Sequence, residues 1–274
     1  MELEYLKDDF RKQGLGIVAI SHDSQEILRE FAEQKHITFS LLSDVDSEVI
    51  KRFGILNHNI PKNNPNYGIP FPGQYIVNQH GVVRAKYFEN NHRERVTMES
   101  VLIRSTDWSP GSLGKIETNE IILEYTAGKE TVHPGNHITL ILNVYPKNNM
   151  HIYAPGVKSY IPITWELNQS DLYKGGPVEF AKAEMLELAV IGEKVPVYRK
   201  SFRVLQDVEI SQKPILDKGL GDISKKPELV IEGTLKYQAC DDKICYIPKN
   251  LKLKFVFNVE EHDWIRTKAR RESQ

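Results

Sequence analysis

Two runs of alternating apolar and polar residues in the C-terminal part of the chain constrain its fold most. Leu229 to Tyr237 alternates side-chain character, and Leu251, Leu253, Phe255 and Phe257 recur at every second position. That is the period of a half-buried strand. Between the runs lie the only two cysteines of the 274 residues, in Thr234-Leu-Lys-Tyr-Gln-Ala-Cys240-Asp-Asp-Lys-Ile-Cys245-Tyr-Ile-Pro248. The spacing predicts a hairpin or short connection with a thiol at each shoulder. A hairpin can bring two Cα atoms to the separation a disulfide needs, about 4.4–6.8 Å. The loop so closed is small and removes little entropy from the unfolded chain. A short, exposed, closable pair suits exchange better than stapling. Three other readings stay open: a structural disulfide in an exported domain, half of a zinc site, and two buried inert thiols. Zinc takes about four ligands, and the sequence offers no second cysteine pair and no histidine near this one. Asp241, Asp242 and Lys243 predict exposure of the pair, the acids raising thiolate pKa values and the lysine lowering them.

The chain length fits one large or two ordinary domains. Hydrophobic content of 40% with 27% charged residues suffices for sizeable cores. A net charge of −1 gives no global field that would favour nucleic acid or an anionic membrane. Apolar runs fall far short of the ~20 residues of a membrane helix. The first nine residues, Met-Glu-Leu-Glu-Tyr-Leu-Lys-Asp-Asp, carry no apolar signal-peptide core. Taken as a genuine start they indicate the cytoplasm, and with a leader missing they leave a periplasmic or otherwise exported protein.

From residue 117 onward the pattern is strand-rich. Expected strands are Glu120–Tyr125, His137–Tyr145, Ile161–Leu167, Glu187–Ile191, Tyr198–Val208, Leu229–Tyr237 and Leu251–Val259. Short strands separated by Gly, Pro, Asn and Asp turns indicate a β-sandwich. Tyr153-Ala-Pro-Gly and Val195-Pro-Val-Tyr-Arg read as loops near the cysteine hairpin. His133 and His137 read as turn and surface residues, without ligand spacing around them. Gly175-Gly-Pro and Gly219-Leu-Gly221 lack the strand–helix context of a phosphate loop.

The string Tyr237-Gln-Ala-Cys-Asp-Asp-Lys-Ile-Cys-Tyr-Ile-Pro248 resembles the active-site segment of the N-terminal periplasmic domain of DsbD, a thiol:disulfide interchange protein. The resemblance extends over roughly residues 117–260. It implies an immunoglobulin-like β-sandwich in which Cys240 and Cys245 cycle between dithiol and disulfide, with thioredoxin-like or DsbD-type redox proteins as partners. It also implies a neighbouring loop that shields the cysteines. Tyr237 and Tyr246 flank the pair, either shielding it or filling the sandwich core. The chemistry implied, thiol–disulfide exchange, requires no metal, flavin or nucleotide cofactor.

Residues 1–104 read differently, in the order α-β-α-β-α-β-β-α. Expected are a helix over 3–13, a buried parallel strand at Ile17–Ile20, a helix over Gln25–Lys35 capped by Ser24, and a strand at Phe39–Ser43. A helix over Asp44–Phe53, strands at Gln74–Asn78 and Val82–Phe88, and a helix over Arg93–Ile103 follow. The strings Ile17-Val-Ala-Ile-Ser, Leu41-Leu-Ser-Asp-Val-Asp-Ser-Glu-Val and Pro70-Phe-Pro-Gly-Gln-Tyr-Ile-Val-Asn resemble the peroxiredoxin/AhpC–TSA branch of the thioredoxin-like fold. In that resemblance Pro72 stands at the family's cis-proline, a partner-docking position. The alternative is that Pro70 and Pro72 only shape the loop before a strand. Thioredoxin-like enzymes carry their cysteine on the first strand–helix junction, whereas this sequence has none before Cys240. The domain is therefore expected to be partial, and peroxidase chemistry is not expected of it. His22, Asp23 and His36 read as strand-end and helix-surface residues, since a base without a nucleophile does nothing.

The fold expected is thus α/β plus all-β: a partial thioredoxin-like domain at 1–104, a linker at 105–116, a sandwich at 117–262 and a basic polar tail at 263–274. The function expected is a redox relay, including intramolecular exchange with a redoxin segment missing from the N-terminus. A non-enzymatic scaffold with a fixed disulfide, or a fragment of a peroxiredoxin-type antioxidant protein, is the alternative.

Overall fold

The computed structural model describes residues 2–88, 95–157, 160–188, 193–212 and 227–260. The chain divides into two compact units, Met1–Ser109 and Pro110–Gln274. The tail expected at 263–274 lies outside the described residues.

The first unit contains α1 (Glu2–Lys12), β1 (Val18–Ser21), α2 (Gln25–Lys35), β2 (Ser40–Ser43), α3 (Glu48–Arg52), β3 (Gly73–Val77), β4 (Val83–Phe88), β5 (Arg95–Val96) and α4 (Met98–Ser105). β1 and β2 pair in parallel, and β3 and β4 form an antiparallel hairpin. Leu6 and Phe10 of α1 pack with Met98, Val101 and Leu102 of α4, joined by Ile17, Ile76 and Tyr87. This is the one-face spacing of α1 put to use. Ser24 caps α2 as its position predicts, its hydroxyl accepting from the Ile27 amide at 3.3 Å.

Three expectations for this unit are corrected. β1 is parallel but not buried: Val18 is 62% exposed, because β2 is its one strand neighbour among the described residues. The helix expected from Asp44 starts only at Glu48. The Asp44 carboxylate accepts the amides of Val49 and Ile50, and Ser47 turns through a left-handed φ of 54°. The last helix starts at Met98, because Thr97 caps it by accepting the Ser100 amide; residues 89–94 lie outside the described residues.

The second unit contains β6 (Gly114–Glu117), β7 (Ile121–Thr126), β8 (Thr131–Val132), β9 (Asn136–Pro146), β10 (His151–Tyr153), β11 (Thr164–Leu167), β12 (Tyr173–Phe180) and β13 (Glu184–Leu188). It continues through β14 (Glu193–Tyr198), β15 (Phe202–Ile210), β16 (Glu228–Tyr237), β17 (Ala239–Cys240) and β18 (Lys249–Val259). One sheet runs β12-β15-β9-β7-β6 and a second runs β11-β16-β18-β8. Their inner faces share a single core. Leu123, Ile138, Leu140, Val204 and Val208 come from the first sheet, and Trp165, Leu229, Ile231, Leu235, Phe255 and Phe257 from the second. Two sheets over one core make a β-sandwich. The two alternating runs pair as β16 and β18, with Leu235 opposite Leu251 and Ile231 opposite Phe255.

A third, smaller sheet runs β13-β14-β10-β17. It corrects the reading of Tyr153 and of Val195–Tyr198 as loop: both belong to strands, β10 and β14, paired through Tyr153 opposite Val197. The continuous strand expected at Tyr198–Val208 is broken, because Tyr198 ends β14 and Phe202 starts β15 in another sheet.

Candidate functional site

The cysteine segment connects β16 to β18, but it is not a free loop. After Tyr237 the chain leaves its sheet and Ala239 and Cys240 pair with β10, with Ala239 opposite Ile152 and Cys240 opposite His151. The turn that follows is organised by Asp241. Its Oδ1 accepts the amides of Lys243 at 2.7 Å and Ile244 at 2.8 Å, and its Oδ2 accepts the Tyr246 hydroxyl at 2.8 Å. An aspartate folding back onto amides two and three residues on is a side-chain substitute for a backbone turn. The chain then returns with Cys245 directly opposite Cys240, and the Tyr246 amide donates to the Ala239 carbonyl at 2.9 Å.

The two sulfurs form a disulfide, with 4.0 Å between the Cα atoms. Their surroundings are unequal. Cys240 is 1% exposed and packs with Tyr153, Val195 and Val197, whereas Cys245 is exposed. The expectation that both thiols face water therefore holds for Cys245 and fails for Cys240. Pairing with β10 turns the Cys240 side chain onto a covered sheet face, and the Asp241 turn carries Cys245 out beyond it. Ile244 and Ile247 flank Cys245 at 57% and 85% exposure.

One of the charges next to the pair, Asp241, is engaged within the turn. The Ile244 and Lys243 amides and the Tyr246 hydroxyl hold the Asp241 carboxyl below its ordinary value, while Asp241 pushes the Tyr246 hydroxyl up. Much of the Asp241 charge is thus bound within the turn. The Tyr153 hydroxyl stands 3.8 Å from Cys245 Sγ, and burial, with Tyr160 and Glu193 adding, pushes its pKa up to about 12. It is a neutral, protonated group beside the Cys245 sulfur. Tyr160 stacks on Tyr153 with ring centroids 4.3 Å apart.

The two flanking tyrosines have separate roles. Tyr237 is 1% exposed and belongs to the sandwich core, its hydroxyl 2.9 Å from Thr118 Oγ1 and 3.3 Å from Glu120 Oε2. Burial raises its pKa to about 12. Tyr246 is half-buried and braces the turn through Asp241. Pro72 directly precedes β3 in the first unit, and no peptide bond among the described residues is cis. Leu56 bridges to Pro70 and the Phe71 amide donates to Ile55 at 2.7 Å, which holds this segment extended. Extended backbone before a proline, with the trans bond, is the ordinary preference.

Sequence reasoning missed His151 and Tyr160 outright and misplaced Tyr153. The one available signal was the aromatic content of His-Ile-Tyr before Ala-Pro-Gly, too short to show a period. Among the described residues no group of three or more His, Cys, Asp or Glu side chains is arranged to hold a metal ion.

Comparison with known proteins follows the division into units. Residues 118–256 match the family "Thiol:disulfide interchange protein DsbD, N-terminal", and residues 1–86 match the AhpC/TSA family. The N-terminal unit is accordingly thioredoxin-like, and the sandwich is of the immunoglobulin-like kind. Peroxiredoxin Bcp of Escherichia coli K12 is 42% identical over 48 residues, 18% of this chain and 31% of Bcp. The chain thus covers less than a third of that relative's length. Among solved structures, the reduced DsbD N-terminal domain of Neisseria meningitidis is 18% identical with a TM-score of 0.31. The match covers 50% of this chain and 85% of that one. The N-terminal periplasmic domain of ScsB from Proteus mirabilis is 12% identical with a TM-score of 0.35, covering 60% of this chain and 58% of that one.

Proposed function

The chain belongs to the family of the N-terminal domain of thiol:disulfide interchange protein DsbD, and from that premise we propose that its sandwich exchanges disulfides through Cys240 and Cys245. We assign the exchange to the sandwich expected at 117–262, which also takes in β6 from Gly114, joined by the segment after α4 to a thioredoxin-like domain at 1–104. The observation that carries the reading is the unequal burial of the two cysteines. Cys245 is the exposed residue of the pair, so a partner thiolate is taken to approach the bond from its side, while Cys240 lies covered behind it. Attack on Cys245 breaks the Cys240–Cys245 bond, leaves its electron pair on Cys240 and forms a mixed disulfide between Cys245 and the partner. A second thiol of the partner then displaces Cys245, and the domain ends as a dithiol. The reverse sequence oxidises the domain and reduces the partner.

The exposed Ile244 and Ile247 give the partner an apolar rim on which to seat around Cys245. A thioredoxin-like or DsbD-type redox protein is the partner class. An exported or periplasmic setting suits the chemistry, because disulfides persist in oxidising compartments.

Single-cysteine variants test the assignment. Cys240→Ser leaves the exposed Cys245 thiol and is expected to form a stable mixed disulfide with a thioredoxin-like protein that lacks its resolving cysteine. Cys245→Ser is expected to trap little. Equal trapping by both, or trapping by neither, contradicts the reading.

A further inference from the structure

One group beside the disulfide has no part in the scheme above. His151 is 4% exposed and stands directly opposite Cys240 in the antiparallel β10–β17 pair. Residues so paired project to the same face with Cβ atoms about 4.5–5.5 Å apart. Cys240 is in turn opposite Cys245, so His151, Cys240 and Cys245 lie in a row across adjacent chain segments. Tyr153, two positions along β10, shares that face. Its ring meets the imidazole edge-on at 5.4 Å, and its hydroxyl reaches Cys245 Sγ. The His151 Nε2 is buried and makes no hydrogen bond among the described residues. An unpaired polar atom in an apolar setting is costly, and a histidine kept there at that cost invites a chemical explanation.

Cys240 poses the matching problem. To close the disulfide its thiol must lose a proton, yet the sulfur is packed among Tyr153, Val195 and Val197, away from water. The thiolate is the attacking species, and apolar burial disfavours it. The titratable and charged groups facing the imidazole are Tyr153 on its own strand, Asp241 and Asp242 on the cysteine turn, and Arg199 after β14. Burial lowers the imidazole pKa, Asp242 and Asp241 oppose this, and Arg199 adds to it, leaving it below the ordinary value. The ring is therefore neutral near pH 7 and free to accept a proton.

We propose that His151 is the base that takes the proton from the Cys240 thiol in the step that closes the disulfide. The proposal rests on the exchange reading of the cysteine pair. The starting state is a mixed disulfide between Cys245 and a partner, formed when the reduced domain attacks a partner's disulfide. The proton passes from Cys240 Sγ to the imidazole, and the Cys240 thiolate attacks Cys245 Sγ. The Cys240–Cys245 bond forms as the Cys245–partner bond breaks, and the partner sulfur leaves as a thiolate with the electron pair. The domain's dithiol is oxidised, the partner's disulfide is reduced, and the imidazolium returns its proton to solvent. In the opposite direction the imidazolium protonates Cys240 as it leaves.

The test uses the full chain, reduced, with glutathione disulfide as the oxidant. Rapid acid quench and intact-mass analysis follow the glutathione adduct on Cys245 and its conversion to the internal disulfide. In the wild-type chain the adduct is expected to be short-lived, and its resolution rate to level off above the imidazole pKa. In His151→Gln resolution is expected to slow at least about tenfold near pH 7 and to climb steadily with pH, as for an unassisted thiol. His151→Phe, which keeps the volume filled, is expected to behave like His151→Gln. Resolution at the wild-type rate in both variants, after normal adduct formation, overturns the role of His151 alone. A wild-type rate that rises tenfold per pH unit with no plateau overturns it without any variant. A pair that forms no adduct and is never oxidised overturns this proposal together with the exchange reading.

Discussion

Cys240 and Cys245 are opposite each other across one bridge, yet one residue is buried and the other exposed. The difference is made by single side chains: Asp241 folding the turn, and the valines and tyrosine of β10 and β14 covering Cys240. A similar local arrangement fixes the base of the hairpin. Glu120, with its side chain 6% exposed, accepts from Lys249 Nζ at 2.6 Å and from Thr118 Oγ1 at 2.9 Å. Burial alone would raise its pKa, but the bonds to Lys249 and Thr118 outweigh burial and the net shift is downward. A depressed carboxylate contributes stability that is full above its unfolded-state value, about 4.3, and is lost as pH falls through the folded one. Lys249→Ala is expected to cost about 1 kcal/mol at neutral pH, near the low end because Lys249 is 35% exposed and screened. Urea unfolding from pH 7 to pH 3 should show the gap between wild type and variant narrowing as Glu120 is protonated. A constant gap would mean that the ion pair is not its source.

At the level of elements, β16 and β18 carry both the core and the site. Phe255 is fully buried between Tyr125 and Trp165, its ring centroid 5.2 Å and 6.3 Å from theirs. Phe255→Ala is expected to lower unfolding free energy by about 3–5 kcal/mol in denaturant titration. Gly233 in β16 allows Trp165 to lie across the strand, since a Cβ there would come within 2.5 Å of Trp165 Cη2 and 2.7 Å of the Glu166 carbonyl oxygen. Gly233→Ala is expected to cost about 1–3 kcal/mol through overpacking, and a neutral substitution would contradict the close approach. These long strands were legible in the sequence, because nine or so alternating residues declare a period. β10 and β17 were not, with three and two residues each. Their existence depends on pairing with each other, a tertiary fact without local signature. The cysteines could therefore be named from the sequence, while their unequal burial and the neighbouring His151 could not. The same limit explains β1, where Ile17-Val-Ala-Ile predicted a parallel strand correctly but burial depended on what else covers it.

For the whole molecule, the two units carry chemically different endowments. Both cysteines lie in the second unit, and the first has the thioredoxin-like pattern without a thiol of its own. The chain is expected to consume no hydrogen peroxide above buffer when assayed with a dithiol reductant, and robust turnover would contradict this account of its residues. The central claim is that the Cys240–Cys245 disulfide is an exchange bond. Its most direct test is the equilibrium redox state of the pair, followed by mass-resolved thiol alkylation across glutathione and dithiothreitol series. A reversible midpoint within the range of cellular thiol couples, roughly −120 to −270 mV, is expected. A bond that stays closed until potentials below about −300 mV would make it a structural staple, and the exchange reading would be wrong.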